Sequence, residues 1–213
     1  TKYLSPNIDI NQIKKKITKK TKVIMPVHLY GSVSDIDKIR QLINKKNIYI
    51  VDDCAQAHGA LSNRGRKVGS LADISTFSLY PGKNLGAYGD AGIITTNNKF
   101  FYQKIRKIRN LGSEIKFIHD TVGLNSRLDT IQAIILNNKL KNLTKYNLKR
   151  KKIAAEYDKR INNKKILKLH YSKHSIYHQY VIIVKQRSKL IKYFNNLNIQ
   201  YGFHYPYAIH QLK

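Results

Sequence analysis

Cysteine, acidic side chains and long apolar runs are all scarce in this sequence. A single cysteine, Cys54, leaves no intramolecular disulfide framework to build, and a reducing compartment, by default the cytoplasm, is the expectation. No apolar run approaches the roughly 20 residues needed to span a bilayer, and the first ten residues, TKYLSPNIDI, have neither the apolar centre nor the cleavage pattern of a signal peptide. A soluble protein with no membrane partner follows. Metal-ligand spacings are missing too: there is no Cys pair and no HExxH, so no metal is expected. No internal repeat is found. Nor does the sequence begin with Met, which suggests an internal piece of a longer protein.

With 213 residues the chain is long enough for one large domain or one and a half, and a complete two-domain enzyme would be cramped. Against 12 Asp and Glu stand 40 Lys and Arg, for a formal charge of +28. That excess fits a polyanion partner, or equally a coding bias toward Lys, Asn and Ile. From Lys139 onward 18 basic residues face only Glu156 and Asp158, so any electrostatic footprint belongs to the last third.

The first half alternates short β-branched runs with helical patterns, which predicts an α/β fold with a mostly parallel sheet. Strands are expected over 23–29 and 48–53, with Ile36, Ile39, Leu42 and Ile43 at helical spacing between them and Ser34 as the N-cap. Residues 74–80 and 91–96 read as further strands around the glycine-rich loop PGKNLGAYGD. Between Leu128 and Ile161 there is neither Pro nor Gly, and one long helix is expected. A strand over 177–184, a helix over 187–198 and a strand over 199–206 complete a small C-terminal α/β domain. The division expected is 1–140 for the large domain and 141–213 for the small one.

Lysine is absent where it would be most noticeable. From Val68 to Asn98 the only basic residue is Lys83, in a chain where 40 of 213 residues are basic. It follows Pro81 and Gly82 between apolar strands, where partial burial would favour a neutral amine able to attack a carbonyl, unless it is simply a loop lysine reaching solvent. Asp52 and Asp53 end an apolar strand, the place where parallel sheets collect ligand-binding groups, although an Asp pair also starts turns. Spacing does not choose between them. His28 and His58 read more readily as hydrogen-bonded structural residues than as catalysts. The glycine-rich loop matches neither the Walker pattern nor the dinucleotide fingerprint.

Taken together, VDDCAQAHGA, STFSLYPGKNLGAYGDAGIITTNN, GLNSRLDTIQAIIL and HYPYAIHQ resemble, in order, the motifs of the DegT/DnrJ/EryC1/StrS sugar aminotransferases. The resemblance implies the fold of the pyridoxal-phosphate-dependent transferases, aspartate aminotransferase type (fold type I), with a mostly parallel large domain and a small C-terminal α/β domain. It implies pyridoxal 5'-phosphate as cofactor, an amino-acid donor such as glutamate, and a nucleotide-linked keto-deoxysugar as acceptor, with C3 preferred to C4. Lys83 matches the lysine that joins the cofactor and later moves the proton. Asp53 matches the carboxylate facing the pyridine nitrogen, Gln56 the residue near the ring hydroxyl, and Ser78 a hydroxyl donor to the phosphate. Asn125 matches an Asn that reaches the phosphate from a partner subunit, implying a homodimer with shared sites. Arg127, Tyr205 and His210 are the implied substrate contacts.

The departures are Asp52 where Glu is usual, Cys54 where Ala is usual, and no counterpart of the family's N-terminal Gly-Thr segment, with the chain ending soon after His210. An internal piece or a degraded copy is the expectation. A dehydratase branch would carry histidine in place of Lys83. Outside this chemistry stand a noncatalytic relative and a basic nucleic-acid-binding protein; for the latter, no aromatic-basic recognition motif is present.

Overall fold

The computed structural model describes residues 4–44, 47–208 and 211–212. Helix α1 (Ile10–Lys16) is opened by Asp9, whose side chain accepts the Asn11 N–H. Strand β1 (Val23–Ile24) is much shorter than the run 23–29 expected from sequence. Beyond Pro26 the chain touches the sheet again only at Val27, opposite Asp53, and then turns through a single 3-10 turn at Leu29–Gly31. The turn curls because Tyr30 and Gly31 both take positive φ, and the Tyr30 N–H is held by Gln56 Oε1 at 2.6 Å. A side chain could not replace the hydrogen of Gly31: its Cβ would lie 2.9 Å from Ile176 and about as close to the backbone of Tyr177 and His178.

Helix α2 (Ile36–Leu42) buries Ile36 and Ile39, as the spacing predicts. Its N-cap is Asp35, whose Oδ1 accepts the Lys38 N–H, and not Ser34. Ser34 is committed elsewhere, because its hydroxyl donates to the Val27 carbonyl and its N–H to His28 Nδ1. Strand β2 (Tyr49–Asp53) and strand β3 (Ile74–Ser78) continue the parallel sheet, with Ile24 opposite Ile50 and Asp53 opposite Thr76. Strand β4 (Gly92–Thr95) closes the order β1-β2-β3-β4 and runs antiparallel, pairing Gly92 with Ser78. The sheet is thus mostly parallel, as expected. Ile24, Ile36, Ile39, Ile50, Ala57 and Leu71 form the main core beside it.

Helix α3 (Lys99–Ile108), not expected from the sequence pattern, is capped by Asn98. The single helix predicted for 128–161 is two, α4 (Thr130–Leu140) and α5 (Leu143–Arg160). They break where the Asn142 N–H donates to Lys139 O, three residues back, instead of the residue four back. Two surfaces have to be met: α4 leans Leu136 and Lys139 over the glycine-rich loop, while α5 places Leu143 and Asn147 against Gly59. The break comes without any Pro or Gly to mark it.

A small antiparallel pair follows, β5 (Ile166–Lys168) with β6 (Ile182–Val184), then α6 (Arg187–Asn196). Residues 177–181, expected in a strand, are irregular: Tyr177 has φ +48° and the Tyr171 hydroxyl takes the Val181 N–H. The strand expected over 199–206 is also absent among the described residues; that stretch is exposed and pairs with no other strand. No described helix is long and apolar enough to cross a membrane.

Candidate active site

The pleat of β2 sends successive side chains to opposite faces, which separates two acids that the sequence cannot tell apart. Asp52 faces the core, fully buried, and its Oδ2 lies 3.1 Å from His28 Nε2. Because the Ser34 N–H can only donate, it must meet the lone pair on His28 Nδ1, so Nε2 carries the proton and donates to Asp52. Cys54 completes a trio whose ligand-type atoms lie within 4.8 Å of one another. A metal ion there would have to displace that proton, and burial pushes the Cys54 thiol far up, away from thiolate. The trio is built as a hydrogen-bonded core.

Asp53 points the other way, half-buried at the carboxyl end of its strand, with Oδ1 accepting the Ala55 N–H at 2.9 Å. Gln56, buried in the same turn, spends its oxygen on Tyr30 and keeps its NH2 end for another partner. One strand along, Ser78 ends β3, and the loop beyond it carries Lys83. That loop is closed by its backbone: Leu79 N–H to Ala91 O, Ala87 N–H to Leu79 O, and Lys83 N–H to Tyr80 O at 2.9 Å. Gly86 is folded so tightly onto it that a Cβ would lie 2.4 Å from Pro81 O. The clash is with backbone, which cannot swing aside. Gly86→Ala is therefore expected to cost about 1–3 kcal/mol in urea denaturation; an unchanged midpoint would show that the loop is not closed in this way.

Two histidines lie within electrostatic reach of Lys83. His58, buried and tilted against Phe77 with ring centroids 5.4 Å apart, is pushed down to about 4, first by burial and then by the charge of Lys83; the Ser78 backbone opposes this. Apart from this approach of the Ser78 backbone, neither of its ring nitrogens finds a hydrogen-bond partner within the described residues. His178 is likewise pushed down to about 4 by burial and by Lys83, with smaller contributions from Arg150, His58 and His204. Both rings are neutral near pH 7. A polar chain ties this region to α5: Asn147 Nδ2 donates to His58 O, Asn84 Nδ2 donates to Asn147 Oδ1, and His178 Nδ1 meets Asn84 Oδ1.

The remaining expected site residues lie apart from this cluster or at its rim. Asn125 and Arg127, joined by an Nε-to-Oδ1 hydrogen bond, line a groove of about 1250 Å³ beside β4 together with Arg106 and Arg109. Lys83, Asp53, Gln56 and Ser78 are not among its walls. Tyr205 is exposed, but its segment reaches the site: the Tyr30 hydroxyl donates to His204 O, and Tyr205 acts on Tyr30 electrostatically. His210 lies outside the described residues. Asn84, Asn147 and His178 were missed by sequence reasoning. The only available signal, a buried Asn on an otherwise basic helix, is invisible until the helix is placed.

The same fold occurs among solved aminotransferases. Superposition on Streptomyces venezuelae DesV gives a TM-score of 0.93 at 36% identity, covering 98% of this chain and 57% of that one. NtdA of Bacillus subtilis, solved with bound cofactor PMP, gives 0.86 at 31% identity, covering 97% and 49%. The fold is that of the pyridoxal-phosphate-dependent aminotransferases, as the sequence led us to expect. More narrowly, the chain belongs to the DegT/DnrJ/EryC1/StrS aminotransferase family, whose model matches residues 2–213. It is 45% identical over 209 residues to the dTDP-3-amino-3,6-dideoxy-alpha-D-galactopyranose transaminase of Aneurinibacillus thermoaerophilus, covering 97% of this chain and 57% of that protein. To the dTDP-3-amino-3,4,6-trideoxy-alpha-D-glucose transaminase of S. venezuelae it is 36% identical over 208 residues, covering 96% and 55%. The chain spans about half the length of these relatives.

Proposed function

We propose that this chain carries the lysine-bearing part of a cytoplasmic pyridoxal-phosphate-dependent aminotransferase that acts on a nucleotide-linked keto-deoxysugar, with glutamate as amino donor. The observation that carries the reading is Lys83, on a closed loop beyond β3, near enough for its charge to depress His58 and His178, with Asp53 at the carboxyl end of the neighbouring strand β2. Family membership and the relatives' names support the reaction class. Amination at C3 is favoured because the two transaminases above are named for 3-amino sugars.

The residues present fit the cofactor. His58 offers a buried ring whose two nitrogens find no well-formed hydrogen bond among the described residues. When bound, pyridoxal 5'-phosphate supplies an electron sink for the carbon that loses its proton. Asp53 would hold a positive charge on the ring nitrogen and so keep that sink effective. Gln56 would use its NH2 end for the ring hydroxyl, and the Ser78 hydroxyl would donate to the phosphate. Lys83 holds and moves the proton at its Nζ. Asn125 would reach the phosphate of a second copy in a homodimer, and Arg127, Tyr205 and His210 would meet the nucleotide sugar. A boundary at 140/141 divides the large domain from the small one, next to the break between α4 and α5.

Titration of the protein with pyridoxal 5'-phosphate and then glutamate, followed by visible absorbance, tests the reading. A band that forms on the first addition and bleaches on the second is expected. Asp53→Ala should weaken cofactor affinity by about 10- to 100-fold, the worth of one charged hydrogen bond. Folded protein that gives no band would instead point to a noncatalytic relative.

A further inference from the structure

The polar chain beside Lys83 has a direction that can be read from its fixed end. His58 O is a carbonyl and can only accept, so Asn147 must turn its Nδ2 toward it, at 2.9 Å. Its Oδ1 then faces Asn84, which must answer with Nδ2, at 2.8 Å. Asn84 is left presenting Oδ1 to His178, and His178 Nδ1, 2.8 Å away, must carry the proton. Every member's orientation follows from one backbone oxygen.

We propose that His178 is a positioning residue for Lys83, acting through Asn84. The inference rests on the aminotransferase reading of Lys83. The loop's backbone bonds close it on itself, with Pro81 and Gly82 exposed at the tip. Asn84, directly after the lysine, helps fasten the loop to the body, gripped at both ends of its amide. His178 is a firm anchor: its carbonyl accepts from Arg150 Nη1 at 3.3 Å, and its backbone packs against Gly31. Asn147 is buried, so the network has little water to fall back on. What His178 supplies is one N–H donor, and a glutamine can supply that as well.

The test compares the wild-type chain with His178→Phe, which removes the donor, and His178→Gln, which keeps one. Two readouts are taken: amide hydrogen exchange at Gly82–Asn84 in cofactor-free protein, and the rate at which pyridoxal 5'-phosphate followed by borohydride labels Lys83, by peptide mass spectrometry relative to the other lysines. His178→Phe is expected to slow Lys83 labelling about tenfold and to speed loop exchange by a similar factor, with His178→Gln close to wild type in both. Asn84→Ala removes the same link at a half-buried position and should reproduce the Phe result even if His178→Phe folds poorly. Wild-type exchange and labelling in either His178→Phe or Asn84→Ala overturns the proposal, as does a Gln variant no better than Phe. If wild-type Lys83 labels no faster than the surface lysines, the aminotransferase reading fails, while loop exchange still decides whether His178 positions the loop.

Discussion

Under the proposed function, Lys83→Ala is expected to lower transamination by about four orders of magnitude or more while leaving the fold intact. The size follows from losing both the nucleophile and the proton carrier. The intact fold follows from what the side chain does not do: the loop is closed by Lys83 N–H to Tyr80 O and by Asn84, and alanine keeps both. Stability in urea should stay within about 0.5 kcal/mol. An independent sign is available, because the charge of Lys83 contributes to the depression of both His58 and His178. Removing it should move both titrations upward from about 4, short of the ordinary histidine value because burial remains the larger cause. Residual activity within tenfold of wild type would exclude Lys83 from the chemistry, and unmoved histidine titrations by NMR would place it away from them.

The largest expected loss of stability is at the opposite face of β2. His28 and Asp52 are both fully buried, and Asp52 Oδ1 already has no hydrogen-bond partner among the described residues. His28→Leu would take the donor from Oδ2 and the acceptor from the Ser34 N–H at one stroke. A cost of about 3–5 kcal/mol is expected, because two buried polar groups, the Asp52 carboxyl and the Ser34 N–H, lose their partners together. The double variant His28→Leu with Asp52→Leu should recover part of it, because no carboxylate then remains to be solvated. Equal destabilisation of single and double variants would assign the loss to packing alone.

The readable parts of this molecule were those set by neighbours in the chain. The lysine-poor window around Lys83, the strand-ending Asp53 and the spacing of Ile36 and Ile39 are local signals, and the structure keeps the elements they mark. Competition for a side chain was less readable. Ser34 has the chemistry of an N-cap, but Val27 and His28 claim it, and Asp35 takes the role. Least readable were partnerships between distant segments: Asn84 meets Asn147 across 63 positions and His178 across 94, and no periodicity reports that. The residues over 199–206 alternate well enough for a strand, yet a strand needs a neighbour, and none of the described strands pairs with them.

The assignment of one aspartate to the core and the next to the site is a matter of parity. Between the edge of β2 and its acids, an added or lost pair of residues would return Asp52 to His28 and Asp53 to the opposite face. A single residue would exchange them, burying Asp53 and turning Asp52 away from His28. Strand length can therefore drift by twos but not by ones, and the adjacent acids, alike in sequence, are not interchangeable spares.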